Sequence, residues 1–161
     1  MRKALTVTFA TLVPALAIAA ACGSSSTAPA LPTFDAAMNG ANERPNPVTT
    51  NATGTATIVK DGATYTYTII YSGLSSAPTG AHIHGPGGTS APAGVLVPFP
   101  TTGAPAGTGT LTGTFTAATI IASRGVSGDS LDVLLRSGNA YVNVHSTTNP
   151  GGEIRGQLTL R

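Results

Sequence analysis

The stretch Ala63–Tyr71 alternates threonine with tyrosine and isoleucine, and this period of two is the strictest constraint the chain carries. Successive side chains of an extended strand point to opposite faces. Tyr65, Tyr67, Ile69 and Tyr71 therefore share one face and Thr64, Thr66 and Thr68 the other, which predicts a strand with one face in a core. Just before it, Thr53–Val59 is a second β-rich run, joined to the first by Lys60-Asp61-Gly62. Asp-Gly between two such runs predicts a hairpin, because both turn residues must tolerate positive φ. Further strands are predicted at Val95–Phe99, Gly109–Phe115, Ala140–Val144 and Glu153–Leu160, with turns at Gly85-Pro86-Gly87-Gly88 and Asn149-Pro150-Gly151-Gly152. Only Asp129–Ser137, closed by Gly138, reads as a short capped helix. There is no internal repeat, only a recurring Thr-Gly bias that is densest in Thr110–Thr116.

Composition agrees with this pattern. The chain holds 20 Gly, 12 Pro and 26 Thr, which disfavours long helices, while 41% hydrophobic and only 9% charged residues argue against a disordered chain. Seven or eight short strands with one brief helix predict an all-β, antiparallel Greek-key sandwich or barrel. Parallel α/β architectures need more helices than the chain supplies. Residues 34–161 suffice for a single core that buries on the order of two-thirds of the unfolded chain's surface without disulfides.

The N-terminus carries an address. Arg2 and Lys3 precede an apolar run that ends in Ala19-Ala20-Ala21, followed at once by Cys22, the sole cysteine. Basic start, apolar core and small residues before the cut match a secretory signal over residues 1–21. The placement of Cys22 makes its lipidation the expected outcome, with residues 22–33, rich in Ser, Ala and Pro, as a flexible linker. This stretch is similar to the N-terminus of a bacterial lipoprotein, although Ala19 stands where Leu, Val or Ile is usual. Ordinary cleavage after Ala21, giving a secreted soluble protein, is the alternative. The expected location is extracytoplasmic, with the lipid anchor holding the protein to a bacterial membrane. The chain has 8 Lys+Arg and 6 Asp+Glu, so loss of Arg2 and Lys3 leaves six of each sign. Without a positive field, nucleic acid is excluded as a partner.

The residues able to do chemistry are few. His82 and His84 stand as i and i+2 in a strand, so both project from one face while Ala81 and Ile83 face the core. The same rule groups Tyr141, Asn143 and His145 opposite Val142 and Val144. If the two strands meet, His82, His84 and His145 form a three-imidazole set suited to Cu or Zn with one position open. The alternative is that these histidines hydrogen-bond carbonyls of the adjoining Gly-Pro loops. Glu153, Arg155 and Gln157 share the other notable strand face, read either as a cross-strand pair on a solvated sheet or as a ligand patch with the loop 85–88. Asn42-Glu43-Arg44-Pro45 reads as a salt-bridged turn. No Gly-x-Ser-x-Gly elbow, no phosphate loop with Lys and no cysteine beyond Cys22 is present, so no catalytic residue is assigned.

Taken together these motifs resemble the CHRD domain, a module named after its occurrence in chordin and also found in single-domain exported microbial proteins. The resemblance is carried by Phe34–Gly40 with Asn42–Pro45, by Ser72-Gly73-Leu74, by Gly80-Ala81-His82-Ile83-His84-Gly85-Pro86, and by Gly138–His145 running into Asn149–Leu158. It implies an immunoglobulin-like or superoxide-dismutase-like β-barrel over residues 34–161 and no fixed activity. The His-x-His strand is similar to the copper-binding strand of copper/zinc superoxide dismutases. Those enzymes need six His, an Asp and a loop disulfide, however, and this chain has 3 His and 1 Cys, so a full dismutase is not expected.

Two functions follow as expectations. The first is a non-catalytic, membrane-tethered binding or structural module of the cell envelope with an extracellular or envelope partner. The second is a mononuclear copper or zinc protein using His82, His84 and His145, with Asn143, Glu153 and Arg155 as supporting or ligand-patch residues.

Overall fold

The computed structural model describes residues 29–120 and 125–161. The expected leader, Cys22 and most of the linker lie outside the described residues. Among the described residues nine strands and one α-helix follow in the order β1 (Thr33–Asn39), β2 (Thr53–Asp61), β3 (Thr64–Leu74), β4 (Pro78–His84), β5 (Val95–Phe99), β6 (Gly107–Thr116), α1 (Gly128–Arg136), β7 (Tyr141–Ser146), β8 (Ile154–Gln157) and β9 (Thr159–Leu160). All pairings are antiparallel in the sheet order β5-β4-β7-β8-β1-β2-β3-β6, with β9 added to β1. β3 neighbours β6 while β4 and β5 lie at the far end, the crossover expected of a Greek key. Phe99 of β5 stacks on Tyr67 of β3 at 4.2 Å and lies 6.0 Å from Phe115 of β6, so the two ends approach and the sheet becomes a nearly closed barrel.

The alternation read from the sequence is what fills it. Tyr65, Tyr67, Ile69 and Tyr71 point inward and are buried, and the β2–β3 hairpin turns at Gly62 with φ of 57°. Opposite Tyr67, Gly113 leaves the room its ring occupies, since a Cβ there would sit 2.6 Å from the Tyr67 hydroxyl. Gly109 does the same for Tyr71, whose hydroxyl donates to the Pro105 carbonyl at 2.8 Å. The helix starts one residue before its expected position. Ser127 accepts from the Ser130 amide, and Leu131 and Leu135 face the core.

The predicted strand 153–160 is two strands. Leu158 breaks the run by donating its amide to Ala140 and burying its side chain, and β9 then joins β1. Outside the barrel wall, the segment 85–94 between β4 and β5 folds back over β4, β7 and β8. This creates a second, polar layer, in which the candidate site lies.

Candidate metal centre

β4 and β7 pair so that Gly80 opposes His145, His82 opposes Asn143 and His84 opposes Tyr141. The intervening Ala81, Ile83, Val142 and Val144 are fully buried in the barrel, which turns all three histidines to its outer side. The predicted faces are therefore the observed ones. His82 folds back across Gly80, where an added Cβ would come within 3.0 Å of its Cε1 and 3.3 Å of its Nε2. The result is a compact cluster. His82 Nδ1 lies 3.1 Å from His145 Nε2, and one ligand atom from each of the three rings lies within 4.8 Å of the others. Nitrogens sharing one ion at about 2 Å each lie within about 4 Å of one another, so small ring rotations bring the three onto a common point.

Backbone carbonyls fix the ring states. A carbonyl only accepts, so the 2.9 Å contact from His84 Nδ1 to Ala93 O makes Nδ1 the donor and leaves Nε2 with the lone pair. His145 is fixed in the same way by Pro150 O at 2.9 Å. These are the loop carbonyl bonds anticipated as the alternative to metal binding, and they aim both Nε2 lone pairs at the cluster. Asn143 places its side-chain oxygen 3.1 Å from His145 Nε2, beside His82 Nδ1 at the same distance from that nitrogen, so the amide oxygen faces the cluster. His84 Nε2 is buried without a hydrogen-bond partner.

Electrostatics keep the rings neutral. Burial, then the neighbouring charges of His145 and His84, lowers His82 to about 4. Burial also lowers His84 and His145, against the carbonyl bonds that favour their charged forms. At neutral pH the cluster thus offers lone pairs rather than positive charge, the state in which imidazole binds metals.

A stack of side chains backs the cluster. Tyr141 lies parallel to His84 at 4.8 Å, and the Arg155 guanidinium covers the Tyr141 ring at 3.4 Å. Arg155 donates through Nη2 to Gly88 O at 2.6 Å and Ala91 O at 3.0 Å, and Gln157 Nε2 donates to Gly87 O at 2.8 Å. Tyr141 accepts from the Ala93 amide at 2.9 Å. The strap 85–94 is thereby tied to the sheet, and with it the carbonyl that orients His84. Gly80 and Pro150 stood in the sequence only as members of a motif and a turn and Ala93 carried no signal, because two of them act through backbone atoms and one through the absence of a side chain. Gln157 and Tyr141 were legible as face-mates only.

Other expectations need correction. Arg155 is 2% exposed and committed to the strap, so it is neither half of a solvated pair nor a free ligand patch. Glu153 does not stand beside the histidines. Its buried carboxylate accepts from Thr50 at 2.9 Å, from the Ser75 amide and hydroxyl at 2.9 and 2.7 Å, and from Ser146. These donors overcome the effect of burial and lower its pKa to about 2. The turn at Asn42–Pro45 is not salt-bridged. Arg44 donates to the carbonyls of Ala41 and Glu43, while Glu43 is buried against Gly152 and burial raises its carboxyl to about 7.

Residues 34–158 match the family model for the CHRD domain, nearly the whole of the folded part, and the chain belongs to that family. No curated protein matches it.

Proposed function

We propose that this member of the CHRD domain family is a binding module of the bacterial cell envelope, held to a membrane by a lipid on Cys22, whose outer face binds one copper or zinc ion through His82, His84 and His145. The observation that carries the metal reading is His84 Nε2, a buried lone pair without a partner whose ring is locked by Ala93 so that it faces two further imidazoles. Leaving such a group unpaired costs on the order of 1–3 kcal/mol, which a bound cation would offset. Three neutral imidazoles suit Cu or Zn and leave a position open. Asn143 stands beside His145 at the cluster, and Arg155 supports the set from behind through the strap. The anchor rests on the order of basic start, apolar run, small residues and single cysteine at the N-terminus.

Titration of the protein with Cu(II) and Zn(II) near neutral pH tests the site. One equivalent should bind, and the His82→Ala/His84→Ala double variant should lose it while keeping a β-sheet spectrum. Absence of stoichiometric binding, or its survival in the double variant, would contradict the metal reading and leave a structural or partner-binding module. For the anchor, Cys22→Ser should move the protein from the membrane to the soluble fraction of expressing cells.

A further inference from the structure

Among the described residues the path of the sheet ends in two edge strands, β5 and β6, and they are built differently. β5 spans five residues, contains Pro98 and is followed by Pro100. Proline offers no amide proton, so this edge is guarded against pairing with another chain. β6 spans ten residues and pairs with β3 in unbroken register from Gly109 to Thr116. It contains no proline and no charged residue. Among the described residues, the one backbone hydrogen bond to β6 from outside the sheet ladders is local, from Thr108 N–H to Ala106 O. Its outer side chains Thr108, Thr110, Thr112, Thr114 and Thr116 are exposed, and Leu111 and Phe115 face the core. Among the described residues no proline or charge blunts this edge, and its one irregularity lies at its start, between Gly107 and Gly109.

The sequence of this edge also identifies what fits it. Residues 108–114 read Thr-Gly-Thr-Leu-Thr-Gly-Thr, the same in both directions. Two copies related by a two-fold axis through Leu111 would set Thr110 against Thr112, Thr108 against Thr114 and Gly109 against Gly113. Each outer pair is threonine on threonine, a favourable cross-strand combination, and no like charges meet. The axis keeps both faces in register, so the inner glycines that accommodate Tyr67 and Tyr71 remain on the core side of both copies. Such a contact is isologous and closes at two.

We propose that the protein forms a two-fold dimer by antiparallel pairing of β6 with β6 of a second copy, joining the β1-β2-β3-β6 halves of two barrels into one continuous sheet. The interface uses no residue of β4 or β7, the strands that carry the histidines.

Sedimentation velocity over a range of protein concentrations tests it. Wild-type protein should show a concentration-dependent dimer. The Thr110→Lys/Thr112→Lys variant should be a folded monomer, since each new lysine would oppose another. A Thr110→Glu/Thr112→Glu variant should likewise be monomeric, and an equal mixture of the two should dimerise again. Hydrogen exchange gives a second readout that needs no variant: β6 amides should slow on going from dilute to concentrated protein, while β5 amides should not. A wild-type monomer at every concentration overturns the proposal, as does a dimer that survives in both charged variants. Slow exchange of β6 at all dilutions would overturn it too, by showing the edge covered within one chain.

Discussion

Single residues in this protein are constrained most tightly where a small group makes room for a large one. Gly80 is the sharpest case at the site, because a methyl group there would press on the His82 ring at 3.0 Å. Gly80→Ala should leave the barrel folded and weaken Cu(II) binding about tenfold, the usual scale for disturbing a ligand's support, as read by competition with a chelator. The two buried glutamates should show opposite pH behaviour. Glu43 has a folded pKa near 7 against an ordinary 4.5, so the native state holds its proton where the unfolded state has lost it. Its contribution is therefore full below 4.5 and is lost as pH rises toward 7, on the order of 2–3 kcal/mol. Glu43→Gln should remove that slope in urea unfolding at a series of pH values. Glu153, lowered to about 2, contributes above 4.5 and loses that contribution as pH falls toward 2. Glu153→Gln should destabilise at pH 7 by about 2 kcal/mol and flatten the acid limb. Histidine faces were readable at this scale because period-two alternation fixes which way a side chain points. The roles of Glu43 and Glu153 were not, since each depends on hydroxyls or turns tens of residues away.

At the scale of elements, the strap 85–94 and the sheet beneath it act as one unit. Arg155 and Gln157 hold its carbonyls, Tyr141 holds the Ala93 amide, and Ala93 in turn orients His84. Arg155→Met keeps bulk over Tyr141 but removes the two carbonyl bonds. Amide exchange should accelerate across 85–94 with the barrel strands unchanged, and the Cu(II) spectrum should shift because one imidazole is no longer fixed. Unchanged exchange in the strap would show that Arg155 is not its clamp. The turn character of Gly85–Gly88 was legible in its Gly-Pro composition, but the direction in which the segment folds was not. That direction is decided by a buried arginine on β8, which sequence spacing had placed on a solvated face. Strand 153–160 misled for a related reason: Leu158 continues the apolar pattern, yet its backbone leaves the ladder to bond Ala140.

For the whole molecule, alternation, turn chemistry and family resemblance together specify an antiparallel barrel, and the strand order carries that out with the Greek-key crossover between β3 and β6. The barrel explains why residues far apart in sequence share a site. β4 and β7 become neighbours only because the sheet reorders the chain, bringing His145 to within 3.1 Å of His82. Local pattern could place each histidine on a face, whereas their convergence is a property of topology. We propose that this convergence makes one metal centre from three imidazoles. X-ray absorption of copper-loaded protein at neutral pH addresses it most directly. Three imidazole nitrogens at about 2 Å from a single copper are expected, falling to two in His145→Ala. A first shell dominated by oxygen, or one with a single imidazole that His145→Ala leaves unchanged, would contradict the account.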